Sequence, residues 1–432
     1  MDTVKTKEKD EFRLTRGAYI LESMFEYLIS ILASGAYLAK LTTTIGISDA
    51  MTAILSAVAS LAAMFQVISI FLANKTPVKR WVLPMTAIPQ ALVATLYLIP
   101  FLKMGAVAPI LFFIIILVNS ASHNIVAPAK SNWFFSPVEP KKRGDFQAKI
   151  SIVSLIGGTA FTFIAGLTID KYEAAGNLES LFVILTVVIF ILALLQMICL
   201  ALAKSSPLEG KEKSSSTLGS VKAIIKNKSF MQILIISTIW AVANNITTPF
   251  LSTYQINELG FSMSFISTVT VVLNFLNVLA VYLVGKYSIK HSYALIFKAS
   301  YVFGIIGFLI IIFTNAANGH VLFTIYRVFI IFFGATAGIS SNALIFSVVD
   351  ESERTSALAF KSVITGLFGF ITTLLISPLF TLLQSKAISV FGIDLFAQQV
   401  LAIVSFFITL GLLIYYQFFC KNLVNAEKNR EN

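Results

Sequence analysis

Long apolar runs recur along the whole chain, and they constrain its fold more than any other feature. Each run has roughly 18 or more residues, enough for a helix to cross about 30 Å of hydrocarbon. The composition agrees, with 57% hydrophobic residues, 12% charged residues and a mean hydropathy of +0.86. Because membrane β-strands are shorter and alternate in polarity, the sequence predicts an all-α polytopic membrane protein.

We predict twelve transmembrane helices from these runs. They lie near residues 17–39, 49–73, 81–102, 107–128, 150–169, 181–203, 229–253, 263–284, 293–314, 321–345, 360–384 and 397–420. The charged segment 1–16 has no short apolar core before a small-residue cleavage site, so it is not expected to be a signal peptide.

The basic residues predict the orientation. With the N-terminus inside, most of the 32 lysines and arginines fall on the cytoplasmic side, with Lys130 and Lys361 counted among the loop residues. Only four fall on the other side, namely Lys40, Lys103, Lys171 and Lys386. This bias predicts a cell-membrane protein with both termini in the cytoplasm. This topology and the attraction of basic residues to anionic lipid then explain the net charge of +11, so no nucleic-acid partner is expected.

An internal repeat divides the chain. The turn "FLANKTPVKR" (71–80) returns 211 positions later as "YLVGKYSIKH", and "SPVEPKKR" (136–143) returns at the same offset as "SVVDESER". A third echo pairs "IGIS" (45–48) with "LGFS" at an offset of 214. Three echoes at nearly one offset indicate two halves of the same topological sense.

The repeat predicts three parts. A six-helix bundle spans residues 1–203, a polar cytoplasmic linker spans 204–228, and a second six-helix bundle spans 229–432. The linker is rich in Ser, Lys and Gly, as flexible connections are.

This organisation resembles the major facilitator superfamily, in which two parallel six-helix halves transport a solute by alternating access. The resemblance covers essentially the whole chain and rests on topology more than on motifs. Asn74 stands where the family's loop between helices 2 and 3 has Gly, and the acidic residue of that loop is missing. Helix 5, "SLIGGTAFTFIAG", lacks the Gly-Pro signature of many drug antiporters. The subfamily therefore stays open.

Two acids in the first apolar run are the leading candidates for proton coupling. Glu22 and Glu26 share one stripe of helix 1 with Tyr19, Ser30 and Tyr37, which are candidate cavity residues. Two carboxylates one turn apart in a low dielectric resist double ionisation, so the pair is expected to carry a proton. Glu26 lies deeper, and Glu22 could instead be a wet residue at the cytoplasmic rim.

The resemblance implies that helices 1, 4, 7 and 10 line a central cavity, and polar residues on these helices are further candidates. They are Asn119, Ser120, His123 and Asn124 on helix 4, Trp240, Asn244 and Asn245 on helix 7, and Arg327 on helix 10. Interhelical hydrogen bonding and packing are the alternatives for most of them. Arg327 needs a substrate anion or a carboxylate, unless it snorkels outward. Pro249 is expected to break helix 7 as a gate.

The repeated turns predict a cytoplasmic belt of charge that ties helix ends together. Its candidate residues are Lys79, Arg80, Glu139, Arg143, Lys286, Lys290, Asp350 and Arg354.

These features favour a secondary transporter of a small organic solute, monomeric, driven by protons or another ion. The sequence has no phosphate-binding Gly-rich loop, no His-Glu-x-x-His pattern and no metal-ligand spacing of its two cysteines, so we expect no enzyme activity, cofactor or metal. An efflux antiporter for drugs or cationic amphiphiles is the alternative, and a channel or intramembrane enzyme is less favoured. Sugar, nucleoside, amino acid and cationic amphiphile all stay open as solutes, as does the direction of transport.

Overall fold

A computed structural model provides the structure of the chain. It describes residues 12–73, 77–103, 105–204, 224–288, 290–350, 353–386, 388–390 and 393–419. Most of the expected linker, at residues 205–223, lies outside the described residues, as does Asn74.

The described residues form α-helices, short 3₁₀ turns and one small sheet. The helices before the expected linker are α1 (Arg13–Leu32), α2 (Gly35–Thr44), α3 (Asp49–Ala62), α4 (Ile68–Ala73), α5 (Val78–Ala94), α6 (Ala108–Phe135), α7 (Arg143–Ala174) and α8 (Leu178–Leu202). The later elements are α9 (Lys228–Thr247), α10 (Leu251–Asn257), α11 (Met263–Ser288), α12 (Tyr293–Ile312), α13 (Gly319–Val348), α14 (Arg354–Gln384), β1 (Ile388–Val390), β2 (Ile393–Leu395) and α15 (Ala397–Phe419). The 3₁₀ turns are Ala63–Val67, Thr95–Leu102, Gly105–Val107, Pro140–Lys142 and Thr248–Phe250.

The number of membrane spans agrees with the sequence. Among the described residues, eleven helices are long and apolar enough to cross a membrane, or up to twelve if the bent pair α1 and α2 forms one span. The two helices of that pair are bent by 40°. The predicted all-α membrane fold is confirmed.

The internal repeat is also visible in the backbone. Gly46 and Gly260, which match at the offset of 214, both adopt positive φ, at 77° and 65°. A residue with a side chain is strained in this conformation, so glycine suits both turns. The first span of each half is interrupted near its end, after Leu32 in α1 and in the 3₁₀ turn that contains Pro249. The break expected at Pro249 is therefore present.

The chain forms two compact units. The first contains residues 1–46, 65–213 and 263–267, and the second contains 47–64, 214–262 and 268–432, each as far as its residues are described. The division expected at 203 and 229 remains a prediction from the repeat.

Helix α3 belongs to the second unit because it packs closely against α14. A Cβ atom on Gly366 would lie 2.3 Å from the carbonyl oxygen of Ser60, so only glycine allows this approach. At the other end of α3, the carboxylate of Asp49 accepts hydrogen bonds of 2.8 Å from Asn257 and from Gln384.

Each unit has its own apolar core. In the first unit, Trp133 and Phe134 of α6 are buried among Trp81, Phe146 and Leu200. The core of the second unit is built from side chains of α9, α12, α13 and α15, which are Phe230, Phe297, Tyr301, Leu344 and Tyr416. These large side chains supply van der Waals packing between the helices of each unit.

Lys130, which was expected in a cytoplasmic loop, lies instead inside a long helix, so that expectation was wrong. Lys130 lies within α6 and Lys361 within α14. Both helices continue past their apolar runs because each lysine finds polar partners. The antiparallel pair β1 and β2 was not expected either. Its strands have three residues each, too few for a pattern in the sequence.

Candidate functional site

Four charged or titratable side chains meet inside the first unit, and we call Glu22, Glu26, His123 and Lys130 the charged cluster. The ammonium of Lys130 donates to Glu22 Oε1 at 2.9 Å and to Glu26 Oε2 at 2.5 Å. His123 Nδ1 lies 2.9 Å from Glu26 Oε1. Gln196 Nε2 donates to Glu22 Oε1, also at 2.9 Å. Lys130 is therefore shared by the two carboxylates.

Helix geometry accounts for this arrangement. Glu22 and Glu26 are one turn apart on α1, while His123 and Lys130 are two turns apart on α6, about 10 Å along the helix axis. Glu26 contacts both α6 residues, and Glu22, one turn earlier, contacts only Lys130. The two helices therefore run in opposite directions here, and the side chains alternate between them.

Exposure changes steadily along the cluster. The side chain of Glu22 is 0% exposed, that of Lys130 is 7%, that of Glu26 is 17% and that of His123 is 51%. Among the described residues, Glu22 Oε2 has no hydrogen-bond partner. The cluster thus reaches from an accessible imidazole to a fully buried carboxylate.

The formal charge of the cluster depends on one proton. With both carboxylates ionised, Lys130 charged and His123 neutral, the sum is one negative charge; a proton on His123 brings the sum to zero. Imidazole is the side chain whose ordinary pKa lies closest to physiological pH. Because charge is costly in a low-dielectric interior, the neutral state is favoured there. The arrangement can therefore accept and release one proton.

Sequence reasoning found the two acids and His123 but missed Lys130. It treated the acids as a repelling pair, whereas the structure places an ammonium between them. A signal was present, because Lys130 follows His123 by seven residues and so shares its helix face. The proton-coupling roles of Glu22 and Glu26 remain predictions.

The other candidates in the first unit have different surroundings. Tyr19 is buried and stacks on Phe134, with ring centroids 4.1 Å apart. Ser30 is exposed and donates to the carbonyl of Tyr27. The buried hydroxyl of Tyr37 contacts the carbonyl oxygen of Thr162 and the hydroxyl of Ser267, each at 2.8 Å.

The remaining candidates on α6 lie near His123. Asn124 Nδ2 donates to the carbonyl of Ser120 at 2.8 Å. The buried Oδ1 atom of Asn119 has no partner among the described residues. Their roles in a cavity remain predictions.

A pocket of about 480 Å³ lies within the second unit. Helices α9, α12, α13 and α14 supply most of its wall, and Ser60 and Ala63 add to it. The predicted residues Trp240, Asn244 and Asn245 all line this pocket. The structure therefore brings the three candidates of helix 7 together.

Lys361 also lines this pocket, and sequence reasoning missed it. Its ammonium donates to the hydroxyl of Ser341, another lining residue. Among the described residues, no carboxylate lies within ion-pair distance of Lys361. The described lining contains no acidic residue. The pocket therefore holds one positive charge without a counter-charge of its own.

Trp240 forms part of a fixed aromatic wall. Its indole stacks on Phe333 at a centroid distance of 3.8 Å and contacts Tyr301 at 5.9 Å. A Cβ atom on Gly304 would lie 2.5 Å from the indole, so glycine is required there. Phe333 and Tyr301 line the pocket as well.

Arg327 does not line this pocket. It precedes the lining residue Gly334 by seven positions on the same face of α13, about 10 Å along the helix. Its proposed pairing with an anion or a carboxylate remains a prediction.

The charged cluster and the pocket occupy matching positions in the internal repeat. Adding the offset of 211 to positions 26, 123 and 130 gives 237, 334 and 341. Ser237, Gly334 and Ser341 at these positions all line the pocket. The same place in the repeat therefore holds a charged network in one unit and an open space in the other.

The described hydrogen bonds of the basic belt candidates go to backbone carbonyl oxygens. Lys79 Nζ donates to the carbonyls of Ala201 and Ala203 at the end of α8, where a cation complements the helix dipole. The matched residues Arg143 and Arg354 donate to carbonyl oxygens of Val138 and Phe346, respectively.

Other belt candidates are exposed. Glu139 pairs with Lys142 at 2.8 Å, while Arg80, Lys286, Lys290 and Asp350 are also exposed. The belt as a gate remains a prediction.

Comparisons with known proteins point to one family. The profile of the Major Facilitator Superfamily matches residues 18–373. No curated protein sequence matches the chain significantly. Several solved structures share its fold.

Three of these structures cover nearly the whole chain. The nucleoside transporter NupG has a TM-score of 0.70 at 17% identity and covers 94% of this chain and 99% of its own. A D-xylose-proton symporter has a TM-score of 0.68 at 12% identity, covering 94% and 97%. The inward-facing bacterial homologue of the human lysosomal transporter Spinster has a TM-score of 0.60 at 13% identity, covering 98% and 97%.

Proposed function

Because this chain belongs to the major facilitator superfamily of membrane transporters, we propose that it moves a small organic solute by alternating access and couples this movement to protons. It acts in the cell membrane with both termini in the cytoplasm, as the distribution of basic residues predicts. The charged cluster is the coupling site, and the pocket of the second unit takes the solute.

The observation that carries the proposal is the sharing of Lys130 by the buried carboxylate of Glu22 and the partly buried carboxylate of Glu26, with His123 on the accessible side. With both carboxylates ionised and Lys130 charged, binding a single proton changes the cluster from one negative charge to none. A charge that changes in a low dielectric changes the stability of the conformation that buries it. A proton therefore binds the two conformations with different affinities.

Fold neighbours support this type of transport. One neighbour is a nucleoside transporter and another is a D-xylose-proton symporter. Their identities of 17% and 12% are too low to transfer a solute, so the solute class must come from the pocket of this chain.

Efflux of cationic amphiphiles is less well supported. Both acids of the charged cluster already hold Lys130, and the described lining of the second-unit pocket contains a lysine and no acid. A cationic solute would meet a like charge in that pocket.

Substitution of Glu26 by Gln tests the coupling role. Glu26→Gln keeps the size of the side chain but removes the charge that His123 and Lys130 share. Uptake driven by a pH gradient in proteoliposomes should therefore fall at least about tenfold, which corresponds to the free energy of one charge-assisted hydrogen bond. Exchange of labelled solute without a gradient should persist.

Glu173→Gln is the matched control for this test. Glu173 pairs with Lys40 at the exposed end of α7, so the same chemical change there should leave pH-driven uptake unaltered. If Glu26→Gln accumulates solute from a pH gradient as the wild type does, the coupling role of the cluster is wrong.

A further inference from the structure

The second-unit pocket contains a charge imbalance that identifies the kind of solute it would hold. Lys361 contributes one positive charge, and the described lining contains no carboxylate to balance it. A buried cation is costly unless a counter-charge or water solvates it. A bound anion would remove this cost.

Hydrogen-bond donors accompany the ammonium. The amide oxygen of Asn244 accepts the hydroxyl of Thr248 at 2.9 Å, which leaves its amide nitrogen to donate. The hydroxyl of Ser341 accepts from Lys361, so its own hydrogen remains to donate. Both residues line the pocket. A carboxylate accepts several hydrogen bonds at once and matches this donor set.

Part of the pocket lining is aromatic. Phe297, Tyr301, Phe333 and Trp240 supply aromatic surface to the pocket. Its volume of about 480 Å³ lies within the range of about 300–1,000 Å³ that is typical of small-molecule sites. The space therefore suits an organic molecule with an apolar body and one polar end.

We propose that this pocket binds small organic monoanions, with Lys361 holding the carboxylate and the aromatic wall holding the apolar part. A dianion would leave one charge uncompensated, and a cation would face Lys361 directly. This inference rests on the proposed transport function and specifies the solute class for the same pocket.

Two series of probe molecules test the proposal on the purified full-length protein in lipid nanodiscs. The first series is benzoate, benzamide and benzylamine, which share a benzene ring and differ in charge. The second series is hexanoate, hexanamide and hexylamine, which differ in charge in the same way but have an alkyl chain in place of the ring. We expect the carboxylate to bind at least about tenfold more tightly than its amide, as one charge-assisted hydrogen bond provides. The amine should bind most weakly, and benzoate should exceed hexanoate. Calorimetry gives each affinity.

Variants of Lys361 assign this preference to a side chain. Lys361→Gln should bring the ratio of carboxylate to amide affinity close to one, while Lys361→Arg should retain the preference. Lys171→Gln, at an exposed lysine of α7, should behave as the wild type. Thermal unfolding of each variant shows whether it is folded, and the wild-type series tests the proposal without any variant.

Two results would overturn the proposal. One is a wild-type protein for which no carboxylate binds more tightly than its amide, and the other is a folded Lys361→Gln protein that keeps the preference.

Glu26→Gln separates this inference from proton coupling. If Glu26→Gln keeps pH-driven uptake while the carboxylate preference depends on Lys361, the coupling proposal fails and the anion site stands. If Glu26→Gln loses pH-driven uptake and the wild type shows no carboxylate preference, the anion site fails and proton coupling stands.

Discussion

The two units of the chain carry charge in opposite ways. In the first unit, Lys130 is neutralised by two carboxylates of the protein itself. In the second unit, Lys361 faces a pocket whose described lining contains no carboxylate. Under the proposed function, one repeated scaffold assigns a proton to one unit and a solute to the other, because the described lining of the second-unit pocket leaves its charge for a ligand to balance.

The two lysines therefore differ in their effect on stability. Removing one member of a buried ion pair leaves the other members unpaired, which is strongly destabilising. Removing a partly buried cation that has no carboxylate partner takes away a desolvation cost instead. Such a desolvation cost is retained in a protein when the charged side chain binds a ligand.

Matched substitutions of the lysines should give the largest contrast. We expect Lys130→Met to lower the free energy of unfolding by about 3–5 kcal/mol, because Glu22 and Glu26 would be left without a counter-charge. Lys361→Met should leave stability unchanged or raise it. Thermal midpoints in detergent measure both changes, and adding Glu22→Gln and Glu26→Gln to Lys130→Met should recover part of the loss. Equal destabilisation by the two lysine substitutions would contradict the difference in stability expected between them.

Substitution of His123 should have a smaller effect that is confined to coupling. His123→Gln removes the titrating group at the accessible end of the cluster, so the response of uptake to pH should weaken by about tenfold, or 1.4 kcal/mol. Proteoliposome uptake at a series of external pH values measures this response. His320→Gln is the control, since this imidazole packs against Phe261 at the start of α13. A wild-type pH profile in the His123 variant would place the proton elsewhere.

A single methyl group in the second-unit pocket should have the smallest effect. Neither Gly338 nor Gly411 has an atom near the place of a Cβ, but only Gly338 lines the pocket. Replacing a helical glycine by alanine stabilises a helix by about 0.5–1 kcal/mol, so both variants should unfold at slightly higher temperature. Only Gly338→Ala should weaken benzoate binding, by a few-fold. Equal benzoate affinities in the two variants would show that the pocket is not the binding space.

The fold follows from the sequence because its apolar runs and its repeat are long and numerous. The runs predict the spans, and the echoes at Gly46 and Gly260 coincide with two turns of the same conformation. Helix ends are less predictable, because a lysine in the sequence marks a loop unless a partner is known. Lys130 was misplaced for this reason.

The candidate site was only partly predictable. The stripe of Glu22 and Glu26 and the group of Trp240, Asn244 and Asn245 follow from helical spacing. Their partners come from other helices, since Lys130 lies 108 positions from Glu22 and Lys361 lies 20 positions from Ser341. No local sequence pattern predicts contacts between residues this far apart along the chain. The repeat offset supplies a clue only after one of the two sites is known.

The separation between the acids and Lys130 also has a consequence for biosynthesis. Helix α1 leaves the ribosome before α6 and carries two carboxylates, whereas their counter-charge follows 104–108 residues later. At about 5–20 residues per second, that delay is about 5–20 s. A charged residue near the middle of a lone membrane helix costs about 2.5–3.5 kcal/mol during insertion. Until α6 is translated, α1 therefore has to remain beside the insertion machinery or keep its carboxylates protonated, so the first unit can assemble only after α6 has been made.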